Sequence, residues 1–174
     1  MDINRKIVVV SIIIIIVLLA LFGTLRIINK KSQPNQLIKE MEISVYFATQ
    51  EAMFLAPEKR VIDTENLYKN AIKELIKGPS DPVNSKTIPE EVELKDIKMV
   101  NGEARVNFNR ALIDNHWGGS TGERMTVYSI VNTLTQFEEI EEVTILIEGE
   151  EVKTLVGHMD LTKPLTWNEK ILKE

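Results

Sequence analysis

Residues Gly118-Gly119-Ser120-Thr121-Gly122 spell the G-x-S-x-G pattern of a hydrolase nucleophile elbow, and acidic residues followed by His158 stand downstream in the chain order such a triad uses. An elbow presents its serine on a tight turn between a buried strand and a helix, so a strand has to run into the pattern. The preceding Arg110-Ala111-Leu112-Ile113-Asp114-Asn115-His116-Trp117 has no strand alternation. Ser120 instead stands three residues before Glu123 at the head of an apolar-periodic segment. That is the spacing of a capping box, in which the two side chains satisfy open backbone donors at a helix start. The expectation is a helix cap and no catalytic residue.

The other reactive side chains are sparse. His116 and His158 are the only histidines, and the helical spacings that hold zinc are absent. His158, in Val156-Gly157-His158-Met159-Asp160, is expected to order a turn through Asp160 or a backbone carbonyl. Glu138, Glu139, Glu141 and Glu142 form an acidic turn whose repulsion water relieves. A calcium site would need a D-x-D-x-D-G run, and none occurs. There is no P-loop and no G-x-G-x-x-G after a strand. Cysteine is absent from the 174 residues, which removes disulfides, thiolate metal sites, thiol catalysis and lipid-modified cysteine together. No metal and no cofactor is expected.

The elements that must carry these residues follow from periodicity. Glu42-Ile43-Ser44-Val45-Tyr46-Phe47 reads as a first strand ending at Ala48-Thr49, and Met53 to Ile62 as a short second strand around a turn at Ala56-Pro57-Glu58-Lys59. A first helix is predicted from a cap at Asp63 or Thr64, with Ile62 and Leu67 as a hydrophobic staple, to a stop at Gly78-Pro79. Leu67, Tyr68, Ala71, Ile72, Leu75 and Ile76 mark its buried face. Leu94 to Val100 and Glu103 to Phe108 flank Asn101-Gly102, the pair that tolerates the positive φ angles of a two-residue hairpin turn. A second helix spans Ser120 to Phe137, with Val127, Ile130, Val131 and Leu134 on one stripe. A second hairpin joins Val143–Ile147 to Val152–Val156. The fold class is α+β: a mixed, largely antiparallel sheet with two helices packed on one face, in the order β-(β)-α-β-β-α-β-β.

The two ends of the chain differ in chemistry. Ile7 to Leu25 are 19 residues without a charge, about 28 Å as a helix and enough to cross a hydrocarbon core. No small-x-small cleavage site follows, so an uncleaved anchor is expected. Arg5 and Lys6 precede the span while Arg26, Lys30 and Lys31 follow it, so charge is nearly balanced across it. The short leading tail suggests a cytoplasmic N-terminus and an exported domain. Only one of the 26 acidic residues but five of the 21 basic ones lie before Gln33, leaving the remainder at −9. That charge disfavours nucleic acid and anionic lipid as partners of the folded part.

Set in order, several segments resemble the GerMN domain family of sporulation and germination proteins. They are Gly78-Pro79, Thr87-Ile88-Pro89, Asn101-Gly102 with Val106-Asn107-Phe108, and Gly119-Ser120 with Glu123. Tyr128 to Phe137, Leu146-Ile147-Glu148-Gly149 and Gly157-His158-Met159-Asp160 with Pro164-Leu165 complete the set, which spans roughly residues 42–165. Asn107 stands where the family commonly has aspartate. The resemblance implies a fold like the ring-building motifs of secretion-type assemblies, and a non-enzymatic extracytoplasmic domain with no catalytic residues. Partners implied are other envelope proteins and further copies of the chain, in sporulation or germination. The alternative is a module that binds peptidoglycan or modulates a separate amidase. The expected organisation is a cytoplasmic tail 1–6, a transmembrane helix 7–25, a linker 26–41, the domain 42–165 and a tail 166–174. If Phe54, Leu55, Ile113 and Trp117 form an exposed patch, the partner surface is expected there.

Overall fold

The computed structural model describes residues 15–20 and 39–173. Residues 15–20 are helical and exposed. The expected tail 1–6, the rest of the span 7–25 and most of the linker 26–41 lie outside the described residues. Among the described residues no helix is long and apolar enough to cross a membrane.

The unit Ile38–Glu174 is α+β and holds two sheets rather than one. Strands β1 (Glu40–Thr49) and β2 (Leu55–Asp63) form an antiparallel hairpin, and β3 (Asn84–Ser85) pairs with the end of β1 to give the order β2-β1-β3. The expected turn at Ala56-Pro57-Glu58-Lys59 is absent, because the chain reverses at residues 50–54 and runs straight through Pro57. Hydrogen bonds from Thr49 N–H to Phe54 and from Thr64 N–H to Lys39 fix the register. By alternation, even-numbered β2 residues bond β1 and odd-numbered ones turn their N–H and C=O outward. Pro57 therefore sits where no partner needs its missing N–H, which is where an edge strand tolerates proline.

The second sheet has the order β4-β5-β6-β7, with β4 (Leu94–Val100), β5 (Glu103–Phe108), β6 (Glu142–Ile147) and β7 (Glu150–Glu151). The β4–β5 turn is the expected one, with Asn101 and Gly102 at φ 52° and 85°. β5 and β6 are parallel, the other pairings antiparallel. The expected hairpin partner Val152–Val156 is not a strand: β7 ends at Glu151 and the chain leaves the sheet.

Helix α1 (Leu67–Lys77) buries Ala71, Ile72 and Leu75, and Gly78 at φ 90° ends it. Neither Asp63 nor Thr64 caps it; the cap is Asn66 at φ 60°, without a side-chain cap bond. The Asp63 carboxylate accepts from Glu65 N–H at 2.7 Å, an Asx turn that competes with capping. A single turn, α2 (Ala111–Asp114), precedes α3 (Ser120–Leu134).

α3 is the centre of the domain, with ten of its fifteen residues buried, rather than a cover on one sheet face. Val127, Ile130, Val131 and Leu134 enter one core with Ile43, Val45 and Phe47 of β1, Ala71, Ile72 and Leu75 of α1, and Val106 and Phe108 of β5. Its other sides, and Gln136 just past its C-terminal end, are polar and matched to backbone. Gln136 accepts from Ser44 N–H at 2.8 Å and donates to Ser44 C=O at 2.6 Å, and Thr133 Oγ1 accepts from Tyr46 N–H at 3.3 Å. Those bonds are the ones a neighbouring strand would make, so the helix closes an edge of β1 that β3 leaves open.

Residues 166–173, expected to trail the domain, are packed along it. Asn132 of α3 donates to Asn168 C=O and accepts from Asn168 N–H, both at 3.0 Å. Lys173 N–H donates to Leu55 C=O at 2.9 Å, and Ile171 joins Tyr46, Ala48, Leu55 and Met125 in a second apolar cluster on the outer face of the first sheet.

Candidate functional site

The residues that could do chemistry gather around the first turns of α3. Glu123 has no solvent-exposed area, though it carries a carboxylate. Its Oε1 accepts from Thr154 Oγ1 at 2.5 Å, Leu155 N–H at 2.8 Å and Val156 N–H at 3.1 Å, while Oε2 accepts from His158 N–H at 2.8 Å. Burial alone would push this carboxyl up, but the four donors outweigh it and hold the group below the usual carboxylate range. The carboxylate does for residues 154–158 what a strand would do: it pairs the backbone N–H groups of a segment that has left the sheet.

The capping box is therefore not formed. Ser120 is the first helical residue, Gly119 at φ 79° is the cap position, and among the described residues no side chain caps the helix. Glu123 reaches across to the loop instead of back to its own N-terminus. The signal was present in the sequence: Glu123, Val127, Ile130 and Leu134 share one helical stripe, and a carboxylate on a core stripe demands buried donors.

His116 has both ring nitrogens engaged. Nδ1 accepts from Gly118 N–H at 2.9 Å, which leaves Nε2 to carry the proton toward Thr126 Oγ1 at 3.1 Å. Thr126 in turn donates to the buried Thr87 C=O at 2.6 Å. Burial lowers the His116 pKa, opposed by the Glu123 charge, and so favours the neutral ring. The adjacent Trp117 is exposed, and its indole lies against α3 where Gly122 has no side chain. A Cβ there would sit 2.9 Å from Trp117 Nε1.

Ser120 and His158 do line one groove, of about 390 Å³, with Arg124, Tyr128 and Asn168. No hydrogen bond joins them among the described residues, and His158 is placed by its backbone N–H rather than by its ring. Asp160 accepts from Thr162 N–H and Oγ1 and does not orient the ring. His158 and Met159 also line a second groove of about 490 Å³ with Lys153 and Thr162, so the Glu123-held loop borders both grooves.

The remaining singled-out residues lie apart. Glu138, Glu139 and Glu141 are exposed and Glu142 half-buried, and among the described residues no group of three or more His, Cys, Asp or Glu could hold a metal. The expected patch is divided: Phe54 and Trp117 are exposed, Ile113 is half-buried, and Leu55 is fully buried beneath the C-terminal segment. Asn107 accepts from Gly149 N–H at 2.8 Å and shapes the β6–β7 turn. A second carboxylate clamp was not foreseen. Glu58 accepts from Ser80 N–H at 2.9 Å, Asp81 N–H at 3.3 Å, Asn84 Nδ2 at 2.9 Å and Arg60 Nη2 at 2.7 Å.

Comparison with known proteins matches residues 44–153 to the family described as "Germane: Sporulation and spore germination". Among solved structures, one similar chain is a candidate lipoprotein from Clostridium perfringens, 28% identical, with 78% of this chain and 93% of that one covered and a TM-score of 0.54. The tandem GerMN domains of the sporulation protein GerM from Bacillus subtilis are 23% identical, with a TM-score of 0.63 over 82% of this chain and 51% of theirs. The first of those domains alone is 18% identical, with a TM-score of 0.58 over 75% of this chain and 98% of that one. The two GerM likenesses establish the fold. No curated protein sequence matches the chain.

Proposed function

The chain belongs to the Germane family of sporulation and spore germination domains, and from that premise we propose that it is a non-enzymatic, membrane-anchored extracytoplasmic domain that acts by binding other envelope proteins, copies of itself included. The observation that carries this reading is how the polar groups of the site are used. Glu123 spends four acceptor positions on backbone and Thr154, and His116 spends both nitrogens on Gly118 and Thr126. Groups satisfied within the chain rigidify a surface and leave little capacity for moving protons. A serine nucleophile needs its base within about 2.6–3.2 Å and a third group to orient that base; among the described residues no hydrogen bond joins Ser120 to His158 and none orients the His158 ring.

Cross-linking in sporulating cells, with a tag after Glu174, tests the reading. The expected result is recovery of specific envelope proteins or of the chain itself, together with digestion of the tag by protease added to intact protoplasts. Retention of the purified chain on cell-wall material, with no protein cross-linked, would replace this reading with the wall-binding one. Loss of turnover of an ester probe in Ser120→Ala, with unchanged stability, would replace it with catalysis.

A further inference from the structure

We propose that the outer edge of β2 is a self-pairing surface, on which a second copy of this chain lays its own β2 in antiparallel register about a two-fold axis at Val61. The inference rests on the assembly reading above and names one surface for it. Lys59, Val61 and Asp63 turn their backbone N–H and C=O outward, as the β1–β2 register requires. Among the described residues the Val61 groups meet no partner, the Lys59 C=O meets only the Arg60 guanidinium at 3.3 Å, and the Asp63 C=O accepts from Asn70 Nδ2 at 3.0 Å, with its second lone pair left for an incoming strand. The edge is competent to take a strand, because the chain already adds one at its other end, where Leu172 bridges Leu55 in parallel and Lys173 N–H bonds the Leu55 C=O.

Register is decided by charge. The side chains of Lys59, Val61 and Asp63 share one face of the strand. A two-fold at Lys59 would set lysine against lysine, and one at Asp63 aspartate against aspartate. A two-fold at Val61 sets valine on valine and places each Lys59 opposite Asp63 of the partner subunit. All these residues then exchange hydrogen bonds in the parity their outward groups demand. The side chains are available: Val61 is 62% exposed, Lys59 makes only a 3.6 Å pair with exposed Glu42, and one Asp63 oxygen remains after the other accepts Glu65 N–H. Such an isologous contact closes on itself, so it yields a dimer and not a fibre. The free edge of β4 is a poorer template, since a bulge between Leu94 and Asp96 interrupts its run.

The absence of cysteine makes the test direct. Directly opposed, hydrogen-bonded residues of antiparallel strands have Cα atoms about 5.5 Å apart, within the range a disulfide spans. Full-length chain carrying Val61→Cys is oxidised in membranes of the expressing cell, beside Lys59→Cys, Asp63→Cys and an equal mixture of those two. The expected result is a disulfide dimer for Val61→Cys, and at least tenfold more cross-link in the mixture than in either chain alone. Adding Lys59→Asp to Val61→Cys should cut the dimer about tenfold, and the exposed position of Lys59 leaves the fold unaffected. A monomeric Val61→Cys, or Lys59→Cys cross-linking alone as well as in the mixture, overturns the proposal. If other envelope proteins are captured while Val61→Cys stays monomeric, this edge is refuted and the assembly reading stands.

Discussion

Replacing Glu123 by Gln preserves shape and removes the charge that holds residues 154–158. The amide can keep its oxygen toward Thr154, Leu155 and Val156, but its NH2 then faces His158 N–H, donor against donor. Leaving that N–H unpaired costs about 1–3 kcal/mol, and three charge-assisted bonds become neutral ones at a loss of about 1 kcal/mol each. Because the four bonds share one carboxylate they do not add fully, so the expected destabilisation is about 3–5 kcal/mol. Urea unfolding of the purified chain reads this directly, and hydrogen exchange at Leu155, Val156 and His158 locates it. The pH dependence carries a sign of its own. Hydrogen bonds depress the folded-state pKa below the ordinary value of 4.5. The Glu123 contribution is therefore complete above pH 4.5 and is lost as pH falls through the folded value. The gap between wild type and Glu123→Gln should be constant near neutrality and shrink only below about pH 4.5. A variant within 0.5 kcal/mol of wild type, with unchanged exchange at the three amides, would refute the clamp.

Three further outcomes follow from neighbouring contacts. Gln136→Ala strips both side-chain bonds from Ser44 and should cost about 1–3 kcal/mol, with the loss of protection concentrated at the Ser44 amide; uniform exchange across β1 would contradict it. Gly122→Ala should destabilise while Trp117 is present, because the new Cβ meets the indole at 2.9–3.0 Å. In a Trp117→Ala background the same change should stabilise by about 0.5–1 kcal/mol through helix propensity, so a double-mutant cycle without a change of sign would disprove the contact. His116 should titrate below 6.5 by NMR, since burial disfavours its charged form. Its neutral ring supports the fold above pH 6.5, and that support is lost as pH falls through the lowered value; a measured pKa at or above 6.5 would be incompatible with the Gly118–His116–Thr126 chain of bonds.

What the sequence determined by itself is local. The Asn101-Gly102 hairpin, the buried face and Gly78 stop of α1, and the strand character of residues 42–49 each depend on neighbours within a few positions, where φ preference and apolar period decide the outcome. The α+β class and the family segments were readable for the same reason. Tertiary structure decided where polar side chains go. Ser120 and Glu123 have capping-box spacing, yet Glu123 belongs to the core stripe and turns to the 154–158 backbone, 31–35 residues away. Gln136 and Asn132 look like ordinary exposed amides of a helix end, but they take the place of strands beside Ser44 and Asn168. Val152–Val156 has strand-forming residues and is not a strand; the Glu123 carboxylate accepts its Leu155 and Val156 N–H groups in place of a strand partner. A backbone donor must be satisfied once buried, but a pattern of residue types does not say which distant side chain will satisfy it.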